Sequence, residues 1–191
     1  MSIIAFSVSL VIAIKHNSVF VLSPLKQEQT TTSNFLLYEN STYGIKIQYP
    51  SGWDKIEDGI REGTKTNIIA FFPASAANSN ASLDISIDDI SGEKGISLAQ
   101  YANNSLSDLK GSLTNFKLIE SSANNNIVFA GIPAYKLVYS STDRNSIVKD
   151  MEIGAMQGNK VYTLTYEAGV NEYDKYLPIM QKMIGSFQIT K

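Results

Sequence analysis

The chain has 191 residues, 43% of them hydrophobic and 18% charged, a balance that supports one packed domain and excludes wholesale disorder. A net charge of −2 without any basic run excludes the clustered Lys and Arg that phosphate binding needs, so no nucleic-acid partner is expected. Cysteine is absent, which excludes disulfides, thiolate metal sites and cysteine nucleophiles.

The chain opens with an apolar run from Ile3 to Ile14, broken by Lys15, His16 and Asn17 and resumed from Ser18 to Leu22. The first run has the length of a signal-peptide core, about 7–15 residues. Counted through the break, the segment reaches the roughly 20 residues of a membrane anchor. No Lys or Arg precedes the run, and no clean small-x-small site follows it. The expectation is a signal peptide or N-terminal anchor over 1–22, a polar linker over 23–34 and an exported domain over 35–191. That places the protein outside the cytoplasm, secreted or tethered. Removing residues 1–22 also removes His16, the only histidine. Three sequons, at Asn40, Asn80 and Asn103, accord with export.

In the domain, apolar residues alternate with period two, as in strands with one buried face. "GIKIQY" turns Ile45, Ile47 and Tyr49 one way and Lys46 and Gln48 the other. "YPSG" suits a type I turn, and Trp53 resumes the chain, so residues 38–57 read as an opening hairpin. "NIIAFF" is apolar throughout and reads as a central strand covered on both faces. "LDISIDDI" points Leu83, Ile85 and Ile87 inward and Asp84, Ser86 and Asp88 outward.

Ser97 and Gln100 form a capping-box pair, followed by Leu98, Tyr101, Ala102, Leu106 and Leu109 at helical spacing. Gly111 is the expected stop. "NFKLIESS", "IVFAG", "AYKLVYS", "SIVKDMEIGAM" and "KVYTLTYEA" follow as strands, with turns at Gly131–Pro133, Asp143–Asn145 and Gln157–Asn159. These links are too short for crossovers, so the run is an antiparallel meander. A last helix is predicted from the Asn171 cap onward, with Tyr173, Tyr176, Leu177, Met180, Met183 and Ile184 on one side. Pro178 lies inside it, and "FQIT" adds a short final strand. The class is α+β, a central antiparallel sheet flanked by helices.

"YGIKIQYPSGW", "GIPAYKLVYS" and "KVYTLTYEAG…YLPIMQKMIGSFQI" together resemble the PsbP-like domain, over about residues 34–190 and in the family's order. That fold is shared by the lumenal extrinsic subunit of photosystem II and the Mog-type Ran-binding protein. The resemblance implies an α/β/α sandwich. Photosynthetic members dock on a membrane complex and help to retain Ca²⁺ and Cl⁻, using basic surface residues and metal-binding histidines. The exported part has no histidine, so no functional residue carries over.

Asp84, Asp88, Asp89 and Glu93 are the densest acidic group and the candidate Ca²⁺ ligands. They lack the glycine spacing of an EF-hand loop, and the alternative is a solvated strand face. Tyr135, Tyr139, Tyr162, Tyr166, Tyr173 and Tyr176 either line a ligand pocket between sheet and helix or belong to the core. Trp53 is the candidate interaction residue, against a role clamping its hairpin. Without histidine or cysteine in the domain, and without a Gly-rich phosphate loop, no catalytic residue or cofactor is expected. The functional expectation is a non-catalytic module that binds or stabilises a membrane or cell-surface protein complex. The alternative is a small-ligand or Ca²⁺-binding exported protein that uses a sheet–helix cleft.

Overall fold

The computed structural model describes residues 34–74, 81–122 and 127–190, so the expectations for segments 1–22 and 23–33 lie outside the described residues. Strands β1 (Phe35–Asn40) and β2 (Ile45–Pro50) form the opening hairpin. Asn40 builds its turn. The side-chain oxygen accepts the Thr42 and Tyr43 amides at 3.1 and 3.2 Å, and Gly44 takes a positive φ of 68°.

The expected hairpin across "YPSG" is corrected: β2 and β3 (Trp53–Glu57) do not pair. β2 stays in a three-stranded sheet with β1 and the final β12 (Gln188–Ile189), whereas β3 pairs with β5 (Lys65–Pro73) in the large sheet. The Pro-Ser-Gly turn therefore hands the chain from one sheet to the other. A turn motif fixes a reversal but not the strand that will be paired, because pairing depends on residues distant in sequence.

The large sheet has the path β3-β5-β6-β11-β10-β9-β7. Here β6 is Ser82–Asp89, β7 Lys117–Ser122, β9 Ile132–Asp143, β10 Ser146–Gln157 and β11 Lys160–Gly169. Two short strands attach to it, β4 (Arg61–Glu62) on β5 and β8 (Val128–Phe129) on β9. All pairings are antiparallel. β5 lies second from an edge and is not central. An irregularity between Asn67 and Ile69 leaves both Ile68 and Ile69 buried, and from there half-buried and buried residues alternate. The turn before β9 sits at Ala130–Gly131, so Pro133 belongs to the strand.

Helix α1 (Leu98–Ser112) starts with the predicted box: Ser97 Oγ accepts the Gln100 amide at 3.2 Å, and Gln100 Oε1 accepts the Ser97 amide at 2.9 Å. It runs one residue past Gly111. Helix α2 (Tyr173–Ser186) begins two residues after Asn171, with Glu172 in the cap position and no side-chain cap bond. α1 covers one face of the large sheet, packing on Tyr135, Leu137, Tyr139 and Val161 through Ala102 and its half-buried leucines. α2 and the small sheet cover the other face. There Ile45, Ile47, Met180 and Met183 meet Leu83, Ile85, Leu164 and Tyr166 in the main core. The sandwich thus has one outer layer of helix and one made of helix plus a small sheet.

Candidate functional site

The four acidic candidates do not gather, and each of three carries its own structural bond. Asp84 is exposed and accepts Ser82 Oγ at 2.7 Å. Asp88 takes the Tyr101 hydroxyl of α1 at 2.9 Å, while its Oδ1 is buried with no partner. Asp89 accepts the Ser91 amide at 3.0 Å and Asn159 Nδ2 at 3.3 Å, and the Ser91 bonds hold its carboxyl below the usual range. Glu93 sits in the loop before α1. Among the described residues no group of three or more His, Asp or Glu side chains is placed to hold a metal ion.

Trp53 is buried and meets the Tyr176 ring of α2 edge-on at 6.2 Å. The six tyrosines divide between the two cores. Tyr135 and Tyr139 lie under α1, whereas Tyr162, Tyr166, Tyr173 and Tyr176 lie toward α2. Tyr166 stacks on Tyr173 at 4.6 Å and donates to its carbonyl at 2.7 Å. Lys149 Nζ stands 4.1 Å over the Tyr173 ring. These rings fill the cores and do not line a shared cleft.

Two surfaces have the character of a docking site. The first is the outer edge of β7. This strand ends the large sheet, and five of its six residues are exposed, with adjacent Leu118 and Ile119 at 40% and 53%. At the opposite edge, β3 offers Asp54, Lys55, Ile56 and Glu57, one aliphatic among three charges. The second surface is a groove of about 490 Å³ between β8, the end of α2 and β12, lined by Val128, Phe129, Ile153, Ile184, Phe187 and Ile189. Its floor includes the stacked Phe129 and Phe187 rings, 5.0 Å apart.

The sequence reading missed a buried acidic row. Asp150 and Glu152, at alternate positions of β10, are 4% and 5% exposed. Glu152 Oε1 receives the Tyr135 hydroxyl at 2.7 Å and Ser105 Oγ from α1 at 2.9 Å. Asp150 faces Glu167 directly across β10–β11. Counting outward from the Gln157–Lys160 pair at the turn would have revealed that neighbour, since the register follows from the turn. A carboxyl pair is an acid–base arrangement in principle. None of these three side chains lines the β8–β12 groove or the two cavities of about 330 Å³ beside the start of α1.

No curated protein matches the chain. Among solved structures, the cyanobacterial PsbP of Synechocystis has 14% identity and a TM-score of 0.60, over 84% of this chain and 95% of that one. LpqN of Mycobacterium tuberculosis, described as involved in cell envelope biogenesis, has 13% identity and a TM-score of 0.55, over 83% and 91%. The Ran-binding protein Mog1p of Saccharomyces cerevisiae has 10% identity and a TM-score of 0.52, over 84% and 97%. At such identities the likeness is one of fold. A family model described as PsbP-like protein matches residues 2–189, and the chain belongs to that family.

Proposed function

We propose that this protein is a non-catalytic module working outside the cytoplasm, secreted or tethered by its N-terminal segment. There it binds or stabilises a protein partner at the outer face of the membrane or the cell surface. The observation that carries this reading is the β7 edge. The strand has no described neighbour on its outer side, and two adjacent exposed aliphatics sit on it beside an irregularity between Leu118 and Glu120. An extended partner segment can pair with such an edge through main-chain hydrogen bonds while burying Leu118 and Ile119. The printed role of one structural relative, Ran binding, accords with a binding module. Fold kinship alone does not fix a function, whereas an open sheet edge with exposed aliphatics is a property of this chain's own surface.

The test is affinity capture from the native membrane fraction, with and without Ca²⁺, using the wild type and Ile119→Lys. The reading expects a reproducible partner that the variant loses while its circular dichroism and unfolding midpoint stay unchanged. Equal recovery by both proteins, or no reproducible partner, contradicts it.

The groove between β8, α2 and β12 supports a second reading, an apolar small ligand. Its volume falls within the roughly 300–1,000 Å³ of small-molecule sites, and its aliphatic and aromatic walls share the lining with Gln188, Ala130, Gly131 and Gly185. Native mass spectrometry of protein purified from its own membranes tests this. A bound lipophilic mass that Ile184→Arg removes favours the ligand reading.

A further inference from the structure

Between about pH 5 and pH 9, protein stability ordinarily responds to histidines and cysteines. Here there is no cysteine, and the single histidine, His16, lies outside the described residues. Among the described residues the carboxyl groups displaced upward, toward that window, are Asp84, Asp150 and Glu167. The large sheet holds two of them as a pair arranged to respond there.

Asp150 on β10 and Glu167 on β11 are direct cross-strand partners, so their β-carbons stand about 5 Å apart on one face. Asp150 is buried and Glu167 half-buried. Most of the groups around them add negative charge or none, and Arg144 is the one cation that acts against the rise at Glu167. Glu152 is two residues along β10, and Tyr139 faces Asp150 from β9. Asp143 and Arg144 stand at the β9–β10 turn, and Asp84 lies across on β6. Tyr173 of α2 feels Asp150 from the other face. Lys149, the next residue on β10, is turned to that other face over the Tyr173 ring. Arg144 is almost fully exposed and its nearest carboxylate is Asp143, at 3.9 Å. Among the described residues no lysine or arginine forms an ion pair with Asp150 or Glu167.

We propose that Asp150 and Glu167 share one proton, and that this proton makes the β10–β11 region a pH-responsive element of the fold. Two carboxylates this close, with no ion pair to either and only the exposed Arg144 acting on Glu167, are not both ionised cheaply. With one proton between them, the protonated group donates to the ionised one. Burial pushes the Asp150 carboxyl up to about 8, and the charges of Glu167 and Glu152 add to the rise. Glu167 is raised too, by burial and by Asp143 and Asp84, against the opposing pull of the Asp150 hydrogen bond and of Arg144.

The direction of the effect follows from proton counts. In the unfolded chain both groups ionise near pH 4. Above that pH the folded state holds a proton that the unfolded state has lost. Stability therefore falls as pH rises from about 4 to about 8 and levels off once the pair is fully ionised. The two strands loosen over the same range.

The test is the thermal unfolding midpoint of the full chain carrying His16→Gln, measured from about pH 5 to pH 9. It is repeated in that background with Asp150→Asn and with Glu167→Gln. The midpoint is expected to fall by about 5 °C or more in the parent and to stay nearly level in both variants. Hydrogen exchange of the β10 and β11 amides, corrected for the intrinsic rate, should quicken over the same window in the parent alone. Parallel profiles in all three proteins overturn the proposal. If Asp150→Asn fails to fold, Glu167→Gln and a carbon-13 NMR titration of the parent carboxyls decide. Ordinary titration of both groups near pH 4 also overturns it.

Discussion

The Tyr135 ring occupies the space over Gly154 on the neighbouring strand. A β-carbon at 154 would stand 2.6 Å from Cζ and 2.7 Å from the hydroxyl oxygen. Both residues are on the face that α1 covers, and the hydroxyl continues to Glu152 Oε1 at 2.7 Å. Glycine is required here for clearance and not for an unusual φ. Gly154→Ala should displace the ring and cost about 1–3 kcal/mol through overpacking. Urea unfolding of the variant checks this, and an unchanged midpoint would show that the ring has another place to go.

Tyr135→Phe keeps the ring and removes the hydroxyl. Glu152 then retains only Ser105 Oγ as a side-chain donor, in a site that is 5% exposed. The expected loss is about 1.5–3 kcal/mol, the range for a hydrogen bond to a charged group. Tyr135→Phe should cost little when Glu152→Gln is already present, because the charge that needed the donor is gone. A double-mutant cycle in denaturant measures that difference.

Trp53 distinguishes a packing role from a docking role. Its burial against Tyr176 predicts that Trp53→Ala destabilises the fold by about 3–5 kcal/mol. A docking anchor would instead leave the unfolding midpoint in place and abolish partner capture. Calorimetry and capture on the same preparation separate the two outcomes.

Much of this architecture was legible where the chain's own periodicity decides the outcome. The alternation of Ile45, Ile47 and Tyr49, and of Leu83, Ile85 and Ile87, marks faces that are buried in the structure. The Ser97–Gln100 box marks a helix start because both bonds are local. The outward face of β6 was less legible. Ser86 is 6% exposed and Asp88 half-buried, since α1 lies over that side. Local pattern records polarity, whereas burial is set by what the chain later lays on top.

The candidate surfaces were the least legible part. Nothing within "KLIESS" distinguishes an edge strand from an interior one. Its position follows from β9 pairing with β10 on one side and β7 on the other. The acidic row was hidden for a different reason. Asp150 and Glu152 sit in a strand whose intervening residues, Met151 and Ile153, are also buried, so its alternation signals two covered faces more than polar and apolar sides. Pairing Asp150 with Glu167 requires the register across the Gly158 turn to be carried along both strands.

Site-specific photo-crosslinking in the native host tests the β7 edge most directly. A photoreactive residue is placed at Ile119, and a control at exposed Lys182 on α2. The account predicts a discrete adduct with one membrane-associated protein from position 119 and none from 182. Equal labelling at the two positions, or no adduct at 119 in a folded and exported protein, would contradict it.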